Sequence, residues 1–105
     1  HDAMLPLLRM GDRLYPELEE PFIKNPDRSG LPRPDLATVR NQWATVTATL
    51  NKGIAALSFD EWMERHASIS PEDFEKEPHR NRFSVLLSRI AHLTEHIGQL
   101  LWINK

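Results

Sequence analysis

Apolar residues recur at helical spacing through the middle of the chain, between residues 35 and 57. With Gly53 in the series, the positions alternate by intervals of three and four residues: Leu36, Val39, Trp43, Val46, Leu50, Gly53 and Leu57. This spacing places the side chains on one face of an amphipathic α-helix. Asp35 directly precedes the run and is the expected N-cap, because a carboxylate there accepts hydrogen bonds from the free amides of the first turn. We therefore predict a helix of about six turns, with Trp43 in the core.

A second long helix is predicted between Asn81 and Trp102. This segment contains no proline, and no glycine before Gly98, so nothing in it interrupts a helix. Its apolar residues again share one face: Phe83, Leu86, Leu87, Ile90, Leu93, Ile97 and Leu101. Gly98 costs about 1 kcal/mol relative to alanine inside a helix, and the close approach of a neighbouring helix is one reason to find a glycine there.

The segments before the first long helix are less regular. Residues 3 to 15 carry an apolar set that fits a short helix, and Pro6 either begins or kinks that helix. Residues 22 to 34 contain three prolines and a Ser-Gly pair without any period, which predicts a loop. A loop of this length is typical of a functional lid or a crossover connection.

Two helix starts are predicted between the long helices. Ser58 and Glu61 form the Ser-x-x-Glu pattern of a capping box, and the short helix that follows should end near Ala67. Ser70 followed by Pro71 repeats the start signal. No segment alternates between apolar and polar residues at period two, so the sequence predicts an all-α fold.

Composition and charge exclude several classes of protein. The 105 residues include no cysteine, which rules out a disulfide scaffold and a zinc-thiolate finger. With 13 Lys plus Arg against 15 Asp plus Glu, the net charge of −2 argues against nucleic-acid binding. No apolar stretch is long enough to span a bilayer. We expect one cytoplasmic domain, residues 1–105, without a membrane or nucleic-acid partner.

Two histidines in the last helix are the candidate metal ligands. His92 and His96 are four residues apart, so they lie on one helical face, one turn above the other. Two imidazoles at this spacing converge on one metal ion when a third ligand arrives from a facing helix. The alternative is a solvated pair without a metal. Glu95 and Gln99 are neighbours that would orient an imidazole or bind a substrate; the alternative for each is a solvated side chain or an interhelical contact.

The string His-x3-His-x-Gly-Gln near the end of the final helix resembles the DinB/YfiT-like family of four-helix-bundle metalloproteins. The resemblance implies an up-down-up-down bundle whose first helix is absent from this chain. It also implies a third histidine near the start of the family's second helix, a position that His1 occupies, so the three ligands would be His1, His92 and His96. Pro6 departs from the family, in which this helix is continuous. An alternative is that His1 remains from an expression tag.

The resemblance further implies a divalent metal ion, Zn, Ni or Fe, and an enzyme. Known activities of the family include thiol-dependent transfer and hydrolysis, so the expected partners are a small-molecule substrate and a low-molecular-weight thiol. No catalytic side chain beyond the ligands is assigned. The competing hypothesis is a non-catalytic helical binding or dimerisation module, in which the ridge of Leu87, Thr94 and Leu101 packs against a partner. In either case we expect a homodimer.

Overall fold

The computed structural model describes residues 1–25 and 30–104. Within these residues the regular structure is helical, without a strand, and comprises five α-helices: α1 Met4–Leu7, α2 Leu36–Ala56, α3 Phe59–Met63, α4 Pro71–Lys76 and α5 Arg82–Ile103. The predicted all-α class is confirmed. The chain divides into two compact units, His1–Ala56 and Leu57–Lys105, and each is described by itself.

The core of the first unit consists of apolar side chains from α1 and α2. Leu5 and Leu8 are fully buried, and Met4, Val46 and Leu50 are nearly so. The α2 helix begins where the sequence predicts, because the Asp35 carboxylate accepts a hydrogen bond from the amide of Thr38 at 2.7 Å. This hydrogen bond lowers the pKa of Asp35.

The first helix is much shorter than the apolar set at residues 3 to 15 allows. The chain leaves α1 after Leu7 because Arg9 adopts a left-handed conformation with φ 59°, which a non-glycine residue rarely does. Gly11 follows with φ 127°. The Asp2 carboxylate then accepts hydrogen bonds from the amides of Leu14 and Tyr15 at 2.8 and 3.0 Å. Pro6 lies inside the helix, near its beginning, where its missing N–H costs little.

Two irregular helical turns follow. Residues Pro16–Leu18 form a 3₁₀ turn, and Glu20–Lys24 form a π-helical segment in which the amide of Asn25 bonds to the carbonyl of Glu20 at 3.0 Å. The predicted loop at residues 22 to 34 is therefore wrong at its start, where the chain is still helical. Its residues 26–29 lie outside the described part of the chain.

The prediction that Trp43 is a core residue is also wrong. Its side chain is 51% exposed, although Val46 and Leu50 on the same stripe are buried. The ring stacks instead on the imidazole of His1, with centroids 4.1 Å apart and an angle of 26° between the planes. The helical period correctly assigns Trp43 to the apolar face of α2, but it does not tell how deeply each position on that face is buried.

The second unit begins with two capped short helices. Ser58 and Glu61 form the predicted capping box, in which the Ser58 hydroxyl accepts from the Glu61 amide and the Glu61 carboxylate accepts from the Ser58 amide. The hydrogen bonds that the Glu61 carboxylate accepts from the Ser58 amide and hydroxyl lower the pKa of Glu61. Ser70 caps α4 through a hydrogen bond from the Asp73 amide at 3.1 Å.

The α3 helix ends at Met63 rather than near Ala67. Glu64 takes an extended conformation, and its carbonyl accepts from the amide of Arg82 at 2.9 Å. Arg65 continues the pairing through an antiparallel bridge to Asn81. A tertiary backbone contact therefore replaces the last predicted turn of the helix.

The α5 helix is anchored at its N-terminal end. The Asn81 side chain caps it by accepting from the Ser84 amide at 2.9 Å. Arg82 is 6% exposed and pairs with Glu64 at 3.3 Å, and Val85, three residues further along the helix, is also buried. The rings of Trp62 in α3 and Phe83 meet edge to face, 6.3 Å between centroids.

The remainder of α5 is exposed. From Leu87 onward every residue of the helix is solvent-accessible, including the large apolar ones: Leu87, Ile90, Leu93, Ile97, Leu100, Leu101, Trp102 and Ile103. No helix in the described residues is long and apolar enough to cross a membrane.

Candidate metal site

His92 and His96 face each other on α5, as their spacing predicts. Their Nε2 atoms are 2.9 Å apart, and the ring centroids are separated by 4.4 Å with the planes nearly perpendicular. Both side chains are exposed. The helix alone brings the two rings together, because residues four apart lie one turn above each other.

The contact between Gln99 and His96 corresponds to one tautomer of the His96 ring. Its Oε1 atom lies 3.0 Å from Nδ1 of His96, and an amide oxygen accepts but does not donate. In that tautomer Nδ1 of His96 carries the proton, and Nε2 keeps its lone pair. In the contact between the two Nε2 atoms, His92 is then the donor.

The pair fits a divalent ion that binds nitrogen ligands. Imidazole nitrogens bind zinc at about 2.0 to 2.1 Å, so two of them on one tetrahedral ion are about 3.3 Å apart. The observed 2.9 Å separation is slightly shorter and is the distance of a hydrogen bond. For an ion to bind in place of the shared proton, the distance between the two Nε2 atoms needs to increase only slightly.

His1 belongs to the first unit and lies close to α2. Besides the stacking on Trp43, its Nδ1 atom lies 3.4 Å from the hydroxyl of Thr47. Its carbonyl accepts from the amide of Met4 at 2.9 Å, which joins the residue to the start of α1. The carboxylate of the next residue, Asp2, accepts hydrogen bonds from the amides of Leu14 and Tyr15.

Three clustered ligand side chains are not found in the described part of the chain: among residues 1–25 and 30–104, no group of three or more His, Asp or Glu side chains is placed so as to hold a metal ion. His66 accepts from the amide of Ser68 at 3.2 Å. Burial lowers the pKa of His66, and the charge of Arg80 lowers it further.

Gly98 has no close neighbour in the described part of the chain. A Cβ atom added at this position would meet nothing within 4 Å. The expected close approach of a neighbouring helix is therefore not seen, and Gly98 lies in a shallow exposed groove with Gln99, Trp102 and Ile103.

The first unit also contains a cleft that was not predicted from the sequence. It has a volume of about 390 Å³ and lies between the irregular turns and the proline-rich segment, with Gln42 of α2 in its wall. The Oε1 atom of Gln42 is buried there without a hydrogen-bond partner among the described residues. Only the prolines near residue 32 hinted at this feature, because they fix an extended segment beside the turns.

The sequence of the chain matches no protein-family model and no curated protein.

Proposed function

We propose that this protein is a divalent-metal-dependent enzyme of the DinB/YfiT-like type, with His1, His92 and His96 as the metal ligands. The proposal is carried by one observation, the approach of the Nε2 atoms of His92 and His96 to 2.9 Å on α5. The two Nε2 atoms share a proton at this distance, and the same two nitrogens are the ones that would bind one ion.

The hydrogen bond between Gln99 and His96 supports the same conclusion. A histidine that binds a metal usually donates its other ring N–H to an acceptor, which fixes the ring and its tautomer. Gln99 provides that acceptor at 3.0 Å. The architecture that we propose with this site is a four-helix bundle of up-down-up-down type. The presence of two long helices, α2 and α5, supports this proposal.

The proposed chemistry needs a site that is open to a substrate. When bound, a divalent ion such as Zn, Ni or Fe acts as a Lewis acid and lowers the pKa of a coordinated water or thiol. Three imidazoles leave a coordination position open. The exposed side chains of His92 and His96 suit a small-molecule substrate and a low-molecular-weight thiol. The reaction is thus thiol-dependent transfer or hydrolysis, and its place is the cytoplasm, where thiols stay reduced.

Elemental analysis tests this function directly. The protein should be prepared without a polyhistidine tag, supplemented with Zn²⁺, Ni²⁺ or Fe²⁺, and dialysed before the metal content is measured. We expect about one ion per chain in the wild type and almost none in the His92→Ala/His96→Ala variant. The matched control is His66→Ala/His79→Ala, which removes the same number of imidazoles from the same unit and should keep the metal.

His1→Ala separates the third ligand from the pair. If His1 is a ligand, this variant should lose at least about 10-fold in metal affinity, the size of effect expected even for outer-shell partners of a ligand. Unchanged affinity in His1→Ala would remove His1 from the site. Absence of metal from the wild type after supplementation with all three ions would overturn the metalloenzyme proposal.

A second candidate function is a dimerisation module, and the exposed apolar face of α5 favours it. Ile97 is 50% exposed and Leu101 is 65% exposed, and both lie on the same side of the helix as Ile90 and Leu93. Exposed apolar residues that share one face mark interaction sites. The proposed occupant is the same face of a second copy, in a two-fold symmetric pair of α5 helices, because a self-complementary patch is what a homodimer requires.

Sedimentation equilibrium tests the homodimer. Ile97→Glu should convert a dimer to a monomer, because it places a charge in the centre of the proposed interface. Ser88→Glu is the matched control: nine residues away at about 100° per residue, it adds the same charge on the opposite side of α5 and should leave the dimer intact. A monomeric wild type would rule out this candidate.

A further inference from the structure

The Gln99 amide holds His96 in the tautomer that a metal ligand needs, and we propose that Gln99 is the positioning residue of this site. The two residues are three apart on α5, and Oε1 of Gln99 lies 3.0 Å from Nδ1 of His96. This inference rests on the proposed function, because it assigns a role within the same metal site. Gln99 itself does not touch the ion.

The role follows from the two nitrogens of the imidazole ring. A neutral histidine offers one N–H and one lone pair, and the hydrogen bond to one nitrogen decides which it is. Because Oε1 only accepts, Gln99 keeps the proton on Nδ1 and directs the lone pair of Nε2 toward His92. Without that bond the exposed ring of His96 is free to rotate and to place its proton on Nε2.

Only one ring of the pair has such a support. In the described part of the chain, the structure places no hydrogen-bond partner at Nδ1 of His92, whose one polar ring contact is Nε2 of His96. The orientation of His92 therefore depends on His96, and that of His96 depends on Gln99. Loss of the Gln99 oxygen should weaken both ligands, although it touches only one.

Two substitutions at the same position isolate the hydrogen bond. Gln99→Met keeps the length of the side chain and removes the acceptor, whereas Gln99→Glu keeps an acceptor of equal reach. Thr94→Val is the matched control, because it also replaces a polar side chain of α5 by an apolar one. Its hydroxyl bonds to the carbonyl of Ile90 and lies on the far side of the helix from His96.

The first measurement is the affinity for Zn²⁺ in competition with a chelating dye. We expect Gln99→Met to bind Zn²⁺ about 10- to 100-fold more weakly than the wild type, the usual effect of removing the partner of a metal-bound histidine. Gln99→Glu should bind at least as tightly as the wild type. Thr94→Val should remain within about twofold.

The second measurement needs no metal and detects the tautomer itself. Long-range ¹H–¹⁵N correlation spectra of the metal-free protein at pH 8 should show the proton of His96 on Nδ1 in the wild type and in Gln99→Glu. Gln99→Met should lose this preference. A merely structural role in α5 would change helicity without moving the proton between ring nitrogens.

The outcomes separate the two proposals. Wild-type binding that disappears in His92→Ala/His96→Ala but is unchanged in Gln99→Met overturns the role of Gln99 and leaves the metal site standing. A wild type without Zn²⁺ affinity overturns both. A proton on Nε2 of metal-free wild-type His96 overturns the positioning role irrespective of the affinity data.

Discussion

The side chain of Met10 fills the space next to Gly53 in which any larger residue would place its Cβ atom. A Cβ built at Gly53 would lie 2.7 Å from Sδ of Met10 and 3.3 Å from its Cγ. Gly53 is in the last part of α2, where a glycine is unfavourable relative to alanine. The close approach of Met10 is the physical reason for the glycine.

A double-mutant cycle on this pair should reveal the contact. Gly53→Ala in a Met10→Ala background should stabilise the protein by about 1 kcal/mol, because alanine is the better helix former. In the wild-type background the clash should cancel most of this gain or reverse it. Urea unfolding of the four proteins measures the coupling, and equal effects in both backgrounds would contradict the contact.

Ser58 and Ser70 should contribute to stability through their caps. Each hydroxyl accepts a hydrogen bond from the third amide of its helix, and Ser58 also donates to the Glu61 carboxylate at 2.8 Å. Ser58→Ala should lower the free energy of unfolding by about 1 kcal/mol, and Ser70→Ala by no more than that because it lacks the reciprocal bond. Ser58→Asn should restore most of the loss, since asparagine is an equally good cap. A larger loss in Ser70→Ala than in Ser58→Ala would contradict this assignment.

His66 should make the stability depend on pH. Burial and the charge of Arg80 hold the pKa of His66 below its ordinary value of 6.5, so the unfolded chain binds a proton more readily than the folded one. Stability should therefore fall as the pH drops below about 6.5, and this loss should level off below the folded pKa. Well above pH 6.5 both states are neutral at this residue, and His66 has no such effect.

His66→Asn is the variant that tests this pH dependence. Asparagine cannot titrate, yet its oxygen can accept the Ser68 amide two residues on, as an Asx turn does. The fall in melting temperature between pH 7 and 5.5 should be smaller in His66→Asn than in the wild type. His79→Asn removes a different imidazole of the same unit and should keep the wild-type slope. An unchanged slope in His66→Asn would show that other groups cause it.

Metal binding to the pair on α5 should stabilise the folded protein. An ion that binds only the native state adds about 2.7 kcal/mol at a free concentration 100 times the dissociation constant. The melting temperature should rise with Zn²⁺ and return when EDTA is added. His92→Ala/His96→Ala should show no rise, whereas His66→Ala/His79→Ala should rise like the wild type; the same rise in both would place the ion elsewhere.

Local signals made the long helices predictable. The predicted caps Asp35, Ser58 and Ser70 all cap helices in the structure, and the apolar period gave the extents of α2 and α5 nearly to the residue. The short α1 was not predictable in the same way. Its end depends on the left-handed conformation of Arg9, and sequence composition does not reveal that.

In the candidate site, too, contacts within one helix were predictable from the sequence and contacts between distant residues were not. The approach of His92 to His96, and of Gln99 to His96, follows from helical spacing alone and is seen in the structure. The stacking of His1 on Trp43 joins residues far apart in the chain, so no local pattern predicts it. For the same reason the exposure of Trp43 and of the apolar face of α5 escaped prediction: periodicity identifies an apolar face but not what covers it.

The exposed histidine pair has a practical consequence for handling the protein. Two imidazoles one turn apart on an exposed helix face can bind immobilised nickel, since imidazole is a good ligand for that ion. The untagged protein should be retained on a nickel resin and should elute with nickel still attached. Ion exchange without nickel resin or a chelator is therefore the preparation that leaves the identity of the physiological metal to be read from the protein itself.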